Sequence, residues 1–156
     1  MKLVPALVAA PLLLAGGLST ASAAEEQLPG WAGSYAGSYV CSDGEHGFFL
    51  DVSQISKTSD AYSVSGILGF FPVLGGAGGS SASAAGSFLI AGTVNADGSW
   101  RLEPGEWLVE PENYGAAIMI GSFSQRPDGQ WQIIGKPLVP GNEQACTDLI
   151  ATQFLP

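Results

Sequence analysis

The sequence predicts an all-β domain of about eight antiparallel strands closed into a small barrel, with a two-sheet sandwich as the other arrangement the pattern allows. Three observations predict it. Short runs of alternating large and small residues recur along the chain, separated by turn signals such as Asn95-Ala96-Asp97-Gly98 and Arg126-Pro127-Asp128-Gly129. No stretch beyond the N-terminal apolar segment carries a convincing helical period. Two cysteines, Cys41 and Cys146, lie near the two ends of the strand-forming region. A disulfide between them brings the first and last strands together, and a sheet closed in that way has no free edge.

The N-terminus reads as a segment apart. Met1-Lys2 is followed by an apolar run from Leu3 to Leu18 and by Ala21-Ser22-Ala23, an A-x-A cleavage pattern. That is the form of a secretory signal peptide over residues 1–23, cut after Ala23. A spanning helix is the competing reading, but Pro11, Gly16 and Gly17 interrupt the run, which falls short of the roughly 20 apolar residues such a helix needs. Residues 24–30 form a flexible leader, and residues 31–156 form the single domain. Removal of residues 1–23 from the 156 leaves 133, enough for one core, and loss of Lys2 takes the formal net charge from −9 to −10. Nucleic acid is therefore excluded as a partner, because phosphate binding needs clustered Lys and Arg. Membrane insertion is not expected once the signal is removed. A basic protein or a neutral glycan is the expected kind of partner, and a monomer the expected state. Export, to the periplasm or beyond the cell, exposes the cysteines to an oxidising compartment, which favours the Cys41–Cys146 disulfide. It closes a loop of roughly 100 residues, for which the chain-entropy treatment gives roughly 4–5 kcal/mol.

The elements follow in order. In the first strand, Trp31 to Cys41, residues Trp31, Gly33, Tyr35, Gly37 and Tyr39 share one parity, and the glycines suit a barrel corner. Ser42 to Gly47 is a turn that carries the single histidine, His46. Strands follow over Phe48–Ile55 and Tyr62–Phe71. Residues 72–86 hold no charge and little bulk, and form a long flexible hairpin loop. The next strands are Ser87–Asn95 and Ser99–Leu102, then Ala116–Gln125, Gln130–Lys136 and Ala145–Phe154.

Between the fifth and sixth strands lies Leu102-Glu-Pro-Gly-Glu-Trp-Leu-Val-Glu-Pro-Glu-Asn-Tyr114, with its two prolines and four glutamates. It reads as a rigid crossover that caps one barrel end with Trp107-Leu108-Val109. Trp107 and Tyr114 flanked by Glu106 and Glu110 are the candidate binding residues, since Trp and Tyr are favoured anchors. A glycosidase needs two carboxylates across a sugar ring, which Glu103, Glu106, Glu110 and Glu112 supply only if they converge.

Nothing else signals catalysis. One histidine excludes multi-His zinc sites, and Asp43, Glu45 and His46 share only a turn. The nucleophile elbow, the calcium loop and the phosphate loop are all missing from the sequence. No catalytic residue, cofactor or metal is assigned.

Several short motifs carry a resemblance. They are Trp31-Ala-Gly33-Ser-Tyr35 with Tyr39-Val-Cys41, Gly86-Ser-Phe88, Asp97-Gly-Ser-Trp100, Leu102-Glu-Pro-Gly-Glu-Trp107, Pro111 to Tyr114, and the late Cys146. The chain resembles small secreted bacterial β-domains of unknown function, which supply no catalytic residues to carry over. The Tyr-to-Cys spacing departs from that pattern, since either Tyr35 or Tyr39 can stand at the matching position. A looser likeness, in fold and charge alone, is to periplasmic lysozyme inhibitors, small disulfide-linked barrels that begin near a Tyr-x-Cys. The expected function is an exported, non-enzymatic binding or interaction module. The alternatives are an inhibitor of a basic cell-wall enzyme such as lysozyme, and a glycan hydrolase that uses loop glutamates.

Overall fold

The computed structural model describes residues 28–75, 84–142 and 144–156. The signal peptide, most of the expected leader and the centre of the expected hairpin loop lie outside the described residues. The strands are β1 (Gly33–Cys41), β2 (Gly44–Lys57), β3 (Ala61–Pro72), β4 (Gly86–Asn95), β5 (Ser99–Val109), β6 (Ile118–Gln125), β7 (Trp131–Leu138) and β8 (Cys146–Leu155). They form a closed barrel in sequence order, every neighbour antiparallel, with β8 returning to pair with β1. Val139 and Asn142 add one isolated bridge beyond β7. Among the described residues no helix is long and apolar enough to cross a membrane.

Period-two alternation sends one face of each strand into the barrel. Tyr35 and Tyr39 of β1, Phe48, Leu50 and Val52 of β2, and Leu68 and Phe70 of β3 are buried together. Phe88, Ile90 and Val94 of β4 join them, as do Trp100 and Leu102 of β5 and Ile133 of β7. Several inward positions, Gly66 and Gly92 among them, are glycine because the neighbouring backbone leaves no room. A Cβ on Gly66 would stand 1.8 Å from the Asp51 carbonyl oxygen, and one on Gly92 would stand 2.0 Å from that of Arg101. Such close approaches mark the tight bends of a small barrel.

The alternation is reset where a strand carries an extra residue. Between Phe88 and Ile90 of β4, one residue intervenes, whereas their partners on β5, Trp107 and Pro104, have two between them. This bulge turns Trp107 inward beside Phe88 instead of out to solvent. It also explains why β5 is longer than its sequence implies. The expected fifth strand stopped at Leu102, before a proline-broken crossover; the strand instead runs to Val109. β5 pairs with β6 only from Ser99 to Leu102, so Pro104 lies beyond that ladder, where a missing N–H is tolerated.

One end of the barrel is sealed by aromatic rings. Trp31 stacks on Phe123 at 5.0 Å and meets Tyr62 edge-on at 5.4 Å. Trp100 packs against Phe123 from β5. The Tyr35 hydroxyl donates to the Trp31 carbonyl at 2.6 Å, and burial pushes this phenol's pKa well above its ordinary value. The Gln153 amide of β8 donates to the Ala32 carbonyl at 2.6 Å, which ties the incoming chain to the closing strand. The plug is therefore Trp31, not the Trp107 segment that the sequence favoured for that role.

Because Trp31 is the seal, Trp31→Ala is expected to destabilise the fold by about 3–5 kcal/mol. The midpoint of urea unfolding should fall at an unchanged slope; a loss below about 1 kcal/mol would show that the other rings close this end without it.

Candidate functional site

The described residues leave the opposite end unsealed, and the ladders show why. β5 meets β6 only along Ser99–Leu102, and β7 meets β8 only along Gln132–Gly135. Towards the far end these two seams part, and residues 110–117, 139–142 and 144–145 lie at the gaps. Between them lies a pocket of about 330 Å³. Its apolar lining includes Leu68, Phe70, Phe88, Met119 and Pro137, from β3, β4, β6 and β7. The disulfide sits at the same rim, because Cys41 and Cys146 are register partners where β1 ends and β8 begins.

A polar cluster occupies one side of this pocket. Ser42 and Asp43 form a two-residue turn between paired Cys41 and Gly44, and Gly44 takes φ 128°, which a side chain would resist. The tight turn sets Asp43 at the rim. Two residues past Gly44, His46 faces inward directly opposite Tyr39, and the two rings stack at 5.2 Å with planes 12° apart. His46 is 1% exposed. Across the pocket, Asn113 adopts φ 61°, a left-handed conformation that asparagine tolerates better than most residues. That turn brings Tyr114 in to stack on Phe70 at 5.5 Å.

Asp43 joins the two sides. The Tyr114 hydroxyl donates a short hydrogen bond to Asp43 Oδ2, and His46 Nε2 lies 3.1 Å from Asp43 Oδ1. Burial acts to raise the Asp43 carboxyl pKa, but the bonds from Tyr114 and His46 outweigh it and hold the group below the ordinary carboxylate range. Burial, with the Asp43 bond and charge added, pushes the Tyr114 phenol well above its ordinary value; burial does the same at Tyr39. Both phenols are therefore neutral and Asp43 is anionic at neutral pH. An ionised carboxylate only accepts, so His46 Nε2 carries the proton of that bond. The other ring nitrogen, Nδ1, is buried with no hydrogen-bond partner among the described residues.

The donor atoms of Cys41, Asp43 and His46 lie within 4.8 Å of one another. The Cys41 sulfur is bonded to Cys146 and is no thiolate, which leaves two ligands. A structural zinc site takes four and a catalytic one three, so the oxidised cluster does not fit zinc.

Of the residues singled out by sequence, Tyr114 lines the pocket. Trp107 stands just behind it, half-buried, with its ring edge-on to Phe88 at 5.1 Å and to Phe70 at 6.2 Å. Glu106 and Glu110 are exposed and do not line the pocket. Glu106 lies instead with Glu103 along a shallow outer groove of about 590 Å³ that crosses β2 to β5 and holds no aromatic ring. Glu103 is engaged at 2.6 Å by Arg101. Tyr39, Asp43 and His46 were not selected as binding residues from sequence. Their signal was present as a histidine three residues after an aspartate, beside a cysteine, but only the hairpin register shows that His46 points inward.

Fold and site together define a class, an eight-stranded up-and-down barrel stapled at one rim with a polar-walled pocket at that mouth. No family model, curated protein or solved structure matches the chain, and the functional reading rests on the residues themselves.

The depressed Asp43 pKa gives a pH dependence of stability. A carboxyl whose pKa is lower in the folded state stabilises above its unfolded value and loses that contribution as pH falls through the folded value. Asp43→Asn is expected to be less stable than the parent at pH 7, with the gap closing as pH falls below the ordinary Asp value of about 4 and through the lower folded one. Urea unfolding across this range checks it; an undiminished gap at low pH would mean that the charge is irrelevant. Tyr114→Phe removes only the hydroxyl donor and should cost roughly 1.5–3 kcal/mol at pH 7.

Proposed function

We propose that this chain is an exported, non-enzymatic binding module that takes a small ligand into the pocket at the disulfide rim. The observation that carries the reading is the pocket itself: an apolar cleft at a barrel mouth with a few convergent polar groups at one side. Small-molecule sites have this composition and occur in this position. Export is supported by the N-terminal apolar run ending in Ala21-Ser22-Ala23 and by a disulfide whose persistence needs an oxidising compartment.

Binding without turnover is supported by how the titratable groups are used. His46 commits Nε2 to Asp43, and Nδ1 meets no hydroxyl or thiol nucleophile. A histidine that serves as a general base must reach the group it deprotonates. The glutamates proposed for glycan hydrolysis face solvent away from the pocket, which removes the convergence that chemistry requires.

A second reading, inhibition of a basic cell-wall enzyme, draws on the outer part of β5. Beyond Leu102 that strand has lost β6 as a partner, and it exposes Glu103, Glu106, Leu108 and Val109. An acidic edge with two exposed apolar residues suits a basic protein.

The pocket reading is checked by a small-fragment screen in which backbone amide shifts are followed by NMR. Shifts should cluster at Tyr39, His46, Tyr114 and Met119, and Ala117→Trp should abolish them while leaving the barrel spectrum intact. Hits confined to the outer wall would reject the pocket. The inhibitor reading is checked with lysozyme at low salt, where no inhibition at micromolar protein would reject it.

A further inference from the structure

Resting on the pocket reading, we infer that the ligand is a small organic cation, an ammonium compound that also carries at least one N–H or O–H donor. Three features of the wall point the same way. Among the described residues that line the pocket, Asp43 is the only Asp, Glu, Lys or Arg. Its two hydrogen bonds stabilise the anionic form, so the wall presents a carboxylate at neutral pH.

The second feature is aromatic. Tyr39, Phe70, Phe88 and Tyr114 all line the pocket together with His46. They are arranged as two stacked pairs, Tyr39 on His46 and Phe70 on Tyr114, set steeply to each other: His46 meets Tyr114 at 68° and Phe70 at 71°. Ring faces carry the negative part of the aromatic quadrupole and attract an organic cation, most strongly where water is excluded. With both phenols held neutral, the tyrosines act as π donors and add no charge of their own.

The third is the sense of the hydrogen bonds. The Tyr114 proton and the His46 Nε2 proton are both committed to Asp43. What the Tyr114 phenol retains is acceptor capacity, an oxygen lone pair, and His46 Nδ1 is buried without a partner among the described residues. A donor on the ligand satisfies that phenol oxygen, whereas an anion meets the Asp43 carboxylate; the Tyr39 and Ser42 hydroxyls, which also line the pocket, can donate or accept. Asn113 and Asn142 at the rim offer amides of either sense and do not decide the matter. A volume of about 330 Å³ lies at the small end of ligand sites, which limits the cation to a compact one.

The test uses the disulfide-intact protein and two probes of matched shape: choline, and its neutral isostere 3,3-dimethylbutan-1-ol, which keeps the hydroxyl and loses the charge. Isothermal titration calorimetry should show choline binding about tenfold or more tighter than the alcohol, with amide shifts at Tyr39 and Tyr114. Asp43→Asn should reduce choline affinity by about tenfold and leave the alcohol unchanged. The comparison of probes on the unaltered protein stands even if that variant folds poorly. Equal affinity for the two probes, with shifts in the pocket, would overturn the cation inference and leave the pocket in place. Failure of both probes to bind at millimolar concentration would also overturn it; the pocket reading falls with it only if the fragment screen is silent as well.

Discussion

Closure of the sheet by β1 on β8 is the constraint from which the rest of this structure follows. An eight-stranded antiparallel sheet left open would expose two rows of backbone hydrogen-bonding groups, and joining its edges satisfies both. The ladder between Ser34 and Cys41 on one side and Cys146 and Leu155 on the other does this, and the Cys41–Cys146 bond fixes its last rung. Cross-linking a loop of 105 residues removes roughly 4–5 kcal/mol of denatured-state entropy in the chain-entropy treatment. The position of the bond matters as much as its size. It holds the rim from which the Ser42-Asp43 turn springs, so the same covalent link that closes the barrel also fixes Asp43 relative to the chain on the far side of the pocket.

Closure also forces a division of labour between the two ends. A narrow barrel must fill its interior with side chains, and here the largest rings gather at the Trp31 end. At the other end the ladders of β5 with β6 and of β7 with β8 stop short, and residues from irregular segments form the wall. Glycine serves close packing on the outside as well. Gly47 lies opposite Phe71 and Gly69 opposite Phe49, and each ring covers its glycine so closely that a Cβ would meet it at 2.3 and 2.1 Å. Phe49 and Phe71, although 41% and 47% exposed, therefore have a local structural purpose, the covering of bare cross-strand backbone.

The barrel was legible in the sequence because it depends on signals that act locally: parity of large residues, turn chemistry at Gly98 and Gly129, and one pair of cysteines. The site was only half legible, for reasons that are also physical. Tyr114 stood out as an aromatic on a proline-fixed segment, and it does line the pocket. In the sequence Trp107 looks like part of a cap, because a run of Trp-Leu-Val after Pro-Gly has the form of a loop; a bulge makes it a strand residue, and a bulge is a property of two strands, invisible in one. In the sequence His46 looks like a turn residue because it follows Asp43 and Gly44. Its inward orientation comes from register with Tyr39, and register is set by the shortness of the Ser42-Asp43 turn.

Why the chain keeps a histidine at this position is the sharper question. A leucine or phenylalanine opposite Tyr39 would extend the core without leaving a polar atom unsatisfied. The buried Nδ1 costs about 1–3 kcal/mol, a large share of the stability of a domain of this size. An orphaned nitrogen alone does not mark a site, for Trp100 Nε1 is equally buried and unpartnered, and Trp100 belongs to the aromatic seal, where its ring packs against Phe123. The difference lies in what the rest of each side chain does. Trp100 contributes ring area to the core, and its N–H is the cost of that area. His46 is smaller, gives up apolar area to occupy its place, and spends its other nitrogen holding a carboxylate that Tyr114 also holds from across the pocket. A residue that lowers core quality in order to position a charge at a cleft is better explained by what the cleft receives than by the fold that surrounds it.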